Sequence, residues 1–167
     1  RQDLRKHDIS AGRSINLALA NRGIKPLKQM GLMPEIEKLI IPMRGRMVHL
    51  EDGSQQLQPY GTSDKDVIYS ISRGDLNKLL LDKAEETGLV DCVFEQPLKA
   101  VDLIDQSLTF TNQIEAVKYK RLIGADGANS IIRASIVDHL NASESIEPLA
   151  HSYKELCIPS KGGDFQL

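Results

Sequence analysis

One stretch constrains the fold of this 167-residue chain more than any other: Leu122-Ile-Gly-Ala-Asp-Gly-Ala-Asn-Ser-Ile-Ile-Arg133. Its apolar start, Arg121 to Ala125, reads as a short buried strand. That strand ends on a carboxylate, Asp126, followed by a glycine that can turn tightly. Ser130 to Val137 then reads as a helix, whose first turn offers backbone N–H groups and the positive end of the helix dipole. Ligands of open α/β sheets sit beyond the carboxyl ends of strands, so Asp126 is placed to meet one. The bland alternative is an ordinary corner with Asp126 as a turn or cap residue. Gly124 before it and Arg133 after it favour the ligand site.

The remaining pattern alternates helices with strands. Ile15 to Leu19 is apolar, and Asn21 can cap a helix from Arg22 to Gly31, where Ile24, Leu27 and Met30 form one stripe and Gly31 is the stop. Pro34 suits a first helical position before Ile36, Leu39 and Ile40. A hairpin follows: Arg46 to Leu50, a tight turn at Asp52-Gly53, then Gln55 to Tyr60. Val67 to Ser72 reads as a strand. An amphipathic helix from Asp75 to Thr87 then places Leu76, Leu79, Leu80, Lys83 and Ala84 on or near one face, with Gly88 as its end. Leu89 to Phe94, Leu98 to Ile104 and Leu108 to Asn112 read as strands, Ala116 to Tyr119 alternates weakly, and Tyr153 to Ile158 is extended. The expected class is α/β, an α+β mix with a sheet layer and a second, mainly antiparallel region.

Charge and cysteines remove several functions. The net charge is −2 and basic residues are spread along the chain, with Lys118, Lys120 and Arg121 the nearest thing to a cluster. That gives no electrostatic case for nucleic acid or an acidic membrane surface. No apolar run approaches the roughly 18 residues of a membrane span. Cys92 and Cys157 stand far apart, without the close pairs and His companions of a metal site. Reduced thiols and a cytoplasmic setting are the expectation. The sequence opens at Arg1 with no initiator Met, and it reads as an internal excerpt of a longer protein.

Gly124-Ala-Asp-Gly-Ala-Asn-Ser-Ile-Ile-Arg133 resembles the Asp-Gly fingerprint of FAD-dependent aromatic-ring hydroxylases. Gly12-Arg-Ser-Ile-Asn-Leu-Ala-Leu-Ala-Asn-Arg-Gly23, Ile41-Pro-Met-Arg-Gly-Arg-Met47, Pro59-Tyr-Gly61 and Ile71-Ser-Arg-Gly-Asp-Leu-Asn-Lys78 resemble further blocks of that family, in the same order. The resemblance implies FAD as cofactor, NADPH as co-substrate and a small aromatic amino acid as substrate. It implies an incomplete FAD-binding Rossmann-like layer in 1–43 and 66–141. Part of an antiparallel substrate-domain sheet would occupy 44–65 and 142–167. The Gly-x-Gly-x-x-Gly loop that usually cradles the FAD pyrophosphate does not occur in this sequence.

Carried over residue by residue, the resemblance puts Arg1 against the adenine side of FAD and Ala18 beside the flavin. Arg73 would reach the phosphates or ribityl oxygens, Leu98 would lie near the adenine, and Asp126 would meet the cofactor. Arg46 and Tyr60, on the two arms of the predicted hairpin, would clamp the substrate carboxylate: a guanidinium offers two parallel hydrogen bonds and a phenol a third. The bland reading makes Arg44 and Arg46 an exposed strand face and Tyr60 a core aromatic. His49 reads as structural, and no residue is nominated as a catalytic acid or base. Two rivals stay open: a hydroxylase of another aromatic acid, and a non-catalytic α/β binding module.

Overall fold

The computed structural model describes residues 2–6, 16–63 and 66–152. Arg1, the start of the Gly12–Gly23 block, Cys157 and the extended segment expected at Tyr153 to Ile158 lie outside them. The described residues fall into two compact units, 4–91 and 92–152, the latter together with residues 2 and 3. Helices and antiparallel sheets are both present, as an α/β mix requires.

In the first unit a three-stranded sheet has the order β1 (Asn16–Leu19), β5 (Ile68–Ser72), β2 (Ile41–Met43), antiparallel throughout. Helix α1 (Asn21–Gln29) follows β1, and α2 (Met33–Ile36) comes next. Asn21 is the first helical residue and not the cap: Ala20 holds that position, with no side-chain cap bond. The C-terminus follows the sequence. Gly31, at φ 71°, donates its N–H to Lys28 O and Leu32 donates to Leu27 O, which closes the helix with a left-handed residue. Leu19, Ile24, Leu27, Ile36 and Ile71 form the core, and Ile36 is 0% exposed.

Helix α3 (Arg73–Glu86) begins two residues before the sequence places it. The reason is Ser72, whose side chain accepts from Asp75 N at 3.2 Å and so caps the helix two residues earlier. Leu76, Leu79 and Leu80 pack on the core, as their spacing predicts. Lys83, on the same face, pairs with Glu86 at 2.8 Å and reaches Glu35 of α2 at 3.5 Å. On the other flank Arg5 pairs with Asp82 and Glu85. Gly88, at φ 67°, ends the helix.

The hairpin of this unit is β3 (Gly45–His49) with β4 (Gln55–Pro59). Its turn is longer than the tight two-residue form. Gly53 donates to Leu50 O, Leu50 donates to Ser54 O, and Gly53 takes the left-handed φ of 82°. This three-residue loop with a glycine bulge is the next commonest hairpin connection. Asp52 stabilises it by accepting from both the N–H and the hydroxyl of Ser54.

The second unit holds β6 (Leu98–Asp102), β7 (Ser107–Phe110) and β8 (Val117–Lys118), in that order and antiparallel, and helix α4 (Ile131–His139). Strand β6 stops at Asp102 because its carboxylate accepts from Ile104 N and Asp105 N and turns the chain. Two expected strands do not form. Leu89 to Phe94 and Arg121 to Ala125 are irregular, and Ile123 is 81% exposed. A strand needs an edge to pair with, and no strand of the described residues pairs with either run.

Candidate functional site

The hairpin register decides whether Arg46 and Tyr60 can work together. A two-residue turn at Asp52-Gly53 would set Arg46 opposite Pro59, leaving Tyr60 on the other face. The glycine bulge shifts the pairing by one residue, and such a slip exchanges faces. Arg46 therefore stands opposite Gln58, and Tyr60 donates its N–H to Arg44 O at 2.9 Å. Alternation along the strands then puts Arg44, Arg46, Gln58 and Tyr60 on one face. Tyr60 is the diagonal neighbour of Arg46 on that face, within reach of a long side chain.

Two backbone features hold this register. A Cβ on Gly45 would lie 2.5 Å from Gln58 O and 2.9 Å from Pro59 Cα, so the strands approach this closely only because residue 45 is glycine. Pro59, opposite Gly45, is next to a hydrogen-bonded pair; at such alternate positions the strand does not call on an N–H.

Arg46 is exposed, and its Nε donates to Gln58 Oε1 at 2.8 Å. Tyr60 is 47% exposed, so it is not the buried core aromatic of the bland reading. His49 lies on the opposite face with its Nδ1 3.5 Å from Gln55 Nε2, away from the arginines. Sequence reasoning missed Gln58. Its signal was the register, which follows from where the glycine of the turn falls.

The proposed cofactor residues of this unit are Ala18 and Arg73. Ala18 is exposed on β1, paired with Ser70. Arg73 is the first residue of α3 and half-buried, with the buried Gly74 beside it. A guanidinium at the positive end of a 14-residue helix is a donor set that suits a phosphate.

The second unit holds Leu98 and Asp126. Leu98 opens β6, half-buried and paired with Phe110. Asp126 does not end a strand. Its Oδ1 accepts from the Ser130 hydroxyl at 2.5 Å, and its Oδ2 accepts from Ile131 N at 2.9 Å and Ile132 N at 3.4 Å. Ser130 Oγ accepts in turn from Arg133 N at 2.9 Å. The N–H groups expected to be open to phosphate are thus met by the chain's own side chains. The Ser130 hydroxyl, the largest influence, holds the Asp126 carboxyl below its ordinary pKa against desolvation, and backbone N–H groups add smaller contributions in the same direction. Arg133 braces the same corner. Its Nη2 donates to Ala128 O at 2.7 Å, and its Nε is ion-paired with Glu144 at 2.5 Å.

No protein-family model matches the chain. Individual relatives do. A protein of Legionella pneumophila (strain Corby) is 42% identical over 165 residues, covering 96% of this chain and 36% of the relative. One of Stenotrophomonas maltophilia is 43% identical over 172 residues, covering all of this chain and 38% of the relative. One of Drosophila melanogaster is 38% identical over 170 residues, covering all of this chain and 37% of the relative. All three carry the name kynurenine 3-monooxygenase. By sequence, this chain is a relative of the kynurenine 3-monooxygenases.

The chain spans little more than a third of the length of the curated relatives it matches. Kynurenine 3-monooxygenases of bacteria and of an insect thus align with it from end to end, through the hairpin as well as through the Asp126 corner. Among the described residues no group of three or more His, Cys, Asp or Glu is arranged to hold a metal ion. No helix among them is long and apolar enough to cross a membrane.

Proposed function

We propose that this chain is part of an FAD-dependent monooxygenase that hydroxylates the ring of L-kynurenine to 3-hydroxykynurenine, with NADPH and O2, in tryptophan catabolism. The observation that carries the reading is the whole-length similarity to kynurenine 3-monooxygenases from distant organisms. The hairpin face supports it independently, because a free α-amino acid brings a carboxylate and this face offers an arginine fork and a phenol.

In this reading Arg46 pairs with the substrate carboxylate through its terminal nitrogens, and Tyr60 donates a further hydrogen bond. Charge-assisted bonds of this kind contribute about 1.5–3 kcal/mol each where water is excluded. Arg73 would hold the FAD phosphates or ribityl oxygens from the start of α3. Ala18, with no side chain beyond Cβ, would let the flavin approach β1. Leu98 would lie against the adenine. Asp126 would act at the cofactor edge chiefly by fixing the start of α4, since three hydrogen bonds already engage its oxygens. Arg1 would lie on the adenine side. Bound FAD would supply electron transfer from NADPH and activation of O2, while the protein orients the reactants. Residues 1–43 and 66–141 are assigned to the FAD-binding domain and 44–65 and 142–167 to the substrate domain. The compartment assigned is the cytoplasm, where thiols such as that of Cys92 stay reduced.

The test uses the full-length protein. It is expected to carry a flavin spectrum and to oxidise NADPH faster when L-kynurenine is added than when hydroxybenzoates are. A protein with bound flavin but no kynurenine stimulation would belong to another aromatic hydroxylase. One with no flavin would be a binding module that has kept the scaffold.

A further inference from the structure

The Arg46–Gln58 pair has a chemical asymmetry. Arginine carries N–H donors only, so the amide of Gln58 must turn its oxygen towards Nε and its NH2 away. That bond occupies the side edge of the guanidinium, which would otherwise compete with the end edge for a carboxylate. The end edge, formed by the two terminal nitrogens, stays available; among the described residues the Gln58 oxygen is the hydrogen-bond partner of the Arg46 side chain. The pair is also directly cross-strand, so the hairpin backbone fixes the origin of both side chains.

We propose that Gln58 is a positioning residue, which fixes the Arg46 guanidinium so that its end edge faces the substrate carboxylate beside Tyr60. This rests on the reading of Arg46 as the carboxylate ligand. Gln58 acts before the ligand arrives: an arginine held by Nε has fewer rotamers to lose on binding, so a smaller part of the interaction is spent on ordering. The effect of Gln58 then depends on Arg46 and on the carboxylate, and on nothing else.

The experiment measures KM, kcat and flavin-absorbance titrations in the full-length, flavin-loaded protein, for wild type, Gln58→Leu, Arg46→Met and the double variant. Two ligands are used, L-kynurenine and the same compound without its carboxylate. Gln58→Leu is expected to raise KM for L-kynurenine roughly 3- to 10-fold, with the loss falling on KM and not on kcat. Binding of the ligand without a carboxylate should stay at the wild-type value, and the double variant should be no worse than Arg46→Met alone. An equal loss for both ligands would overturn the proposal and make Gln58 a hairpin residue. Wild-type KM in Gln58→Leu beside a large loss in Arg46→Met would overturn it too, leaving the reading of Arg46 intact. Wild-type behaviour in Arg46→Met would overturn that reading itself, and Gln58 with it.

Discussion

The two units of the chain differ in how they are held together. Residues 4–91 have a continuous apolar core in which α1, α2 and α3 meet one sheet, with Ile36 and Ile71 essentially inaccessible. In residues 92–152, Ile132 is the buried apolar residue, and Ile104, Ile114, Ile123 and Leu149 are exposed. Order there comes from local polar devices instead: the Asp102 turn, the Asp105–Lys118 pair and the Asp126–Ser130 cap. One unit therefore depends on packing and the other on short-range hydrogen bonds and a cross-strand ion pair. The carboxylate face belongs to the core-bearing unit and the Asp126 corner to the other.

The comparison breaks first, and most visibly, in the core. Ile36→Ala should destabilise the first unit by about 2–5 kcal/mol, the cost of a cavity in a packed interior. Ile114→Ser, at an exposed site, should change stability by no more than about 0.5 kcal/mol. Amide hydrogen exchange reads both, through the protection of α1 and β5 in one case and of β7 in the other. Equal effects would mean that burial does not distinguish the units.

A smaller effect sharpens the comparison at the helix starts. Ser72→Ala and Ser130→Ala each remove a cap and should each cost about 1 kcal/mol. The consequences should differ. Leu76, Leu79 and Leu80 keep α3 on the core, whereas α4 has Ile132 alone buried and should fray over its first turn. Circular dichroism and exchange of the Asp75 and Arg133 amides would show it. Fraying of α3 instead would reverse the assignment.

The smallest effect is on pH. Asp126 is held below its ordinary pKa in the folded state, first by Ser130. Its contribution is therefore complete above the unfolded carboxyl value, about 3.9, and is lost as pH falls below that through the folded value. The Ile131 amide should lose protection in that acid window, and Asp126→Asn should flatten the response. A response centred near neutral pH would point to another group.

Much of this was legible because it is local. The glycine stops at Gly31 and Gly88, the α3 face, the hairpin arms and the helix after Asp126 follow from residues a few positions apart. Arg121 to Ala125 and Leu89 to Phe94 were misread because a short apolar run states a preference for a strand without supplying its partner. At Asp126 the spacing from Ser130 fits a cap as well as it fits a ligand site, and the engagement of both oxygens becomes visible only in the geometry. Gln58 escaped because a two-residue turn and a bulged turn share the same Asp-Gly signal but differ in register by one.

In the proposed function, the hairpin face of the core-bearing unit recognises a substrate carboxylate through Arg46. Titration of bound-flavin absorbance with L-kynurenine, in full-length Arg46→Met beside wild type, tests it most directly. Affinity in the variant should be lower by about 30-fold or more, equivalent to roughly 2 kcal/mol or more, with flavin content unchanged. Wild-type affinity in that variant would contradict it and leave the hairpin a structural element.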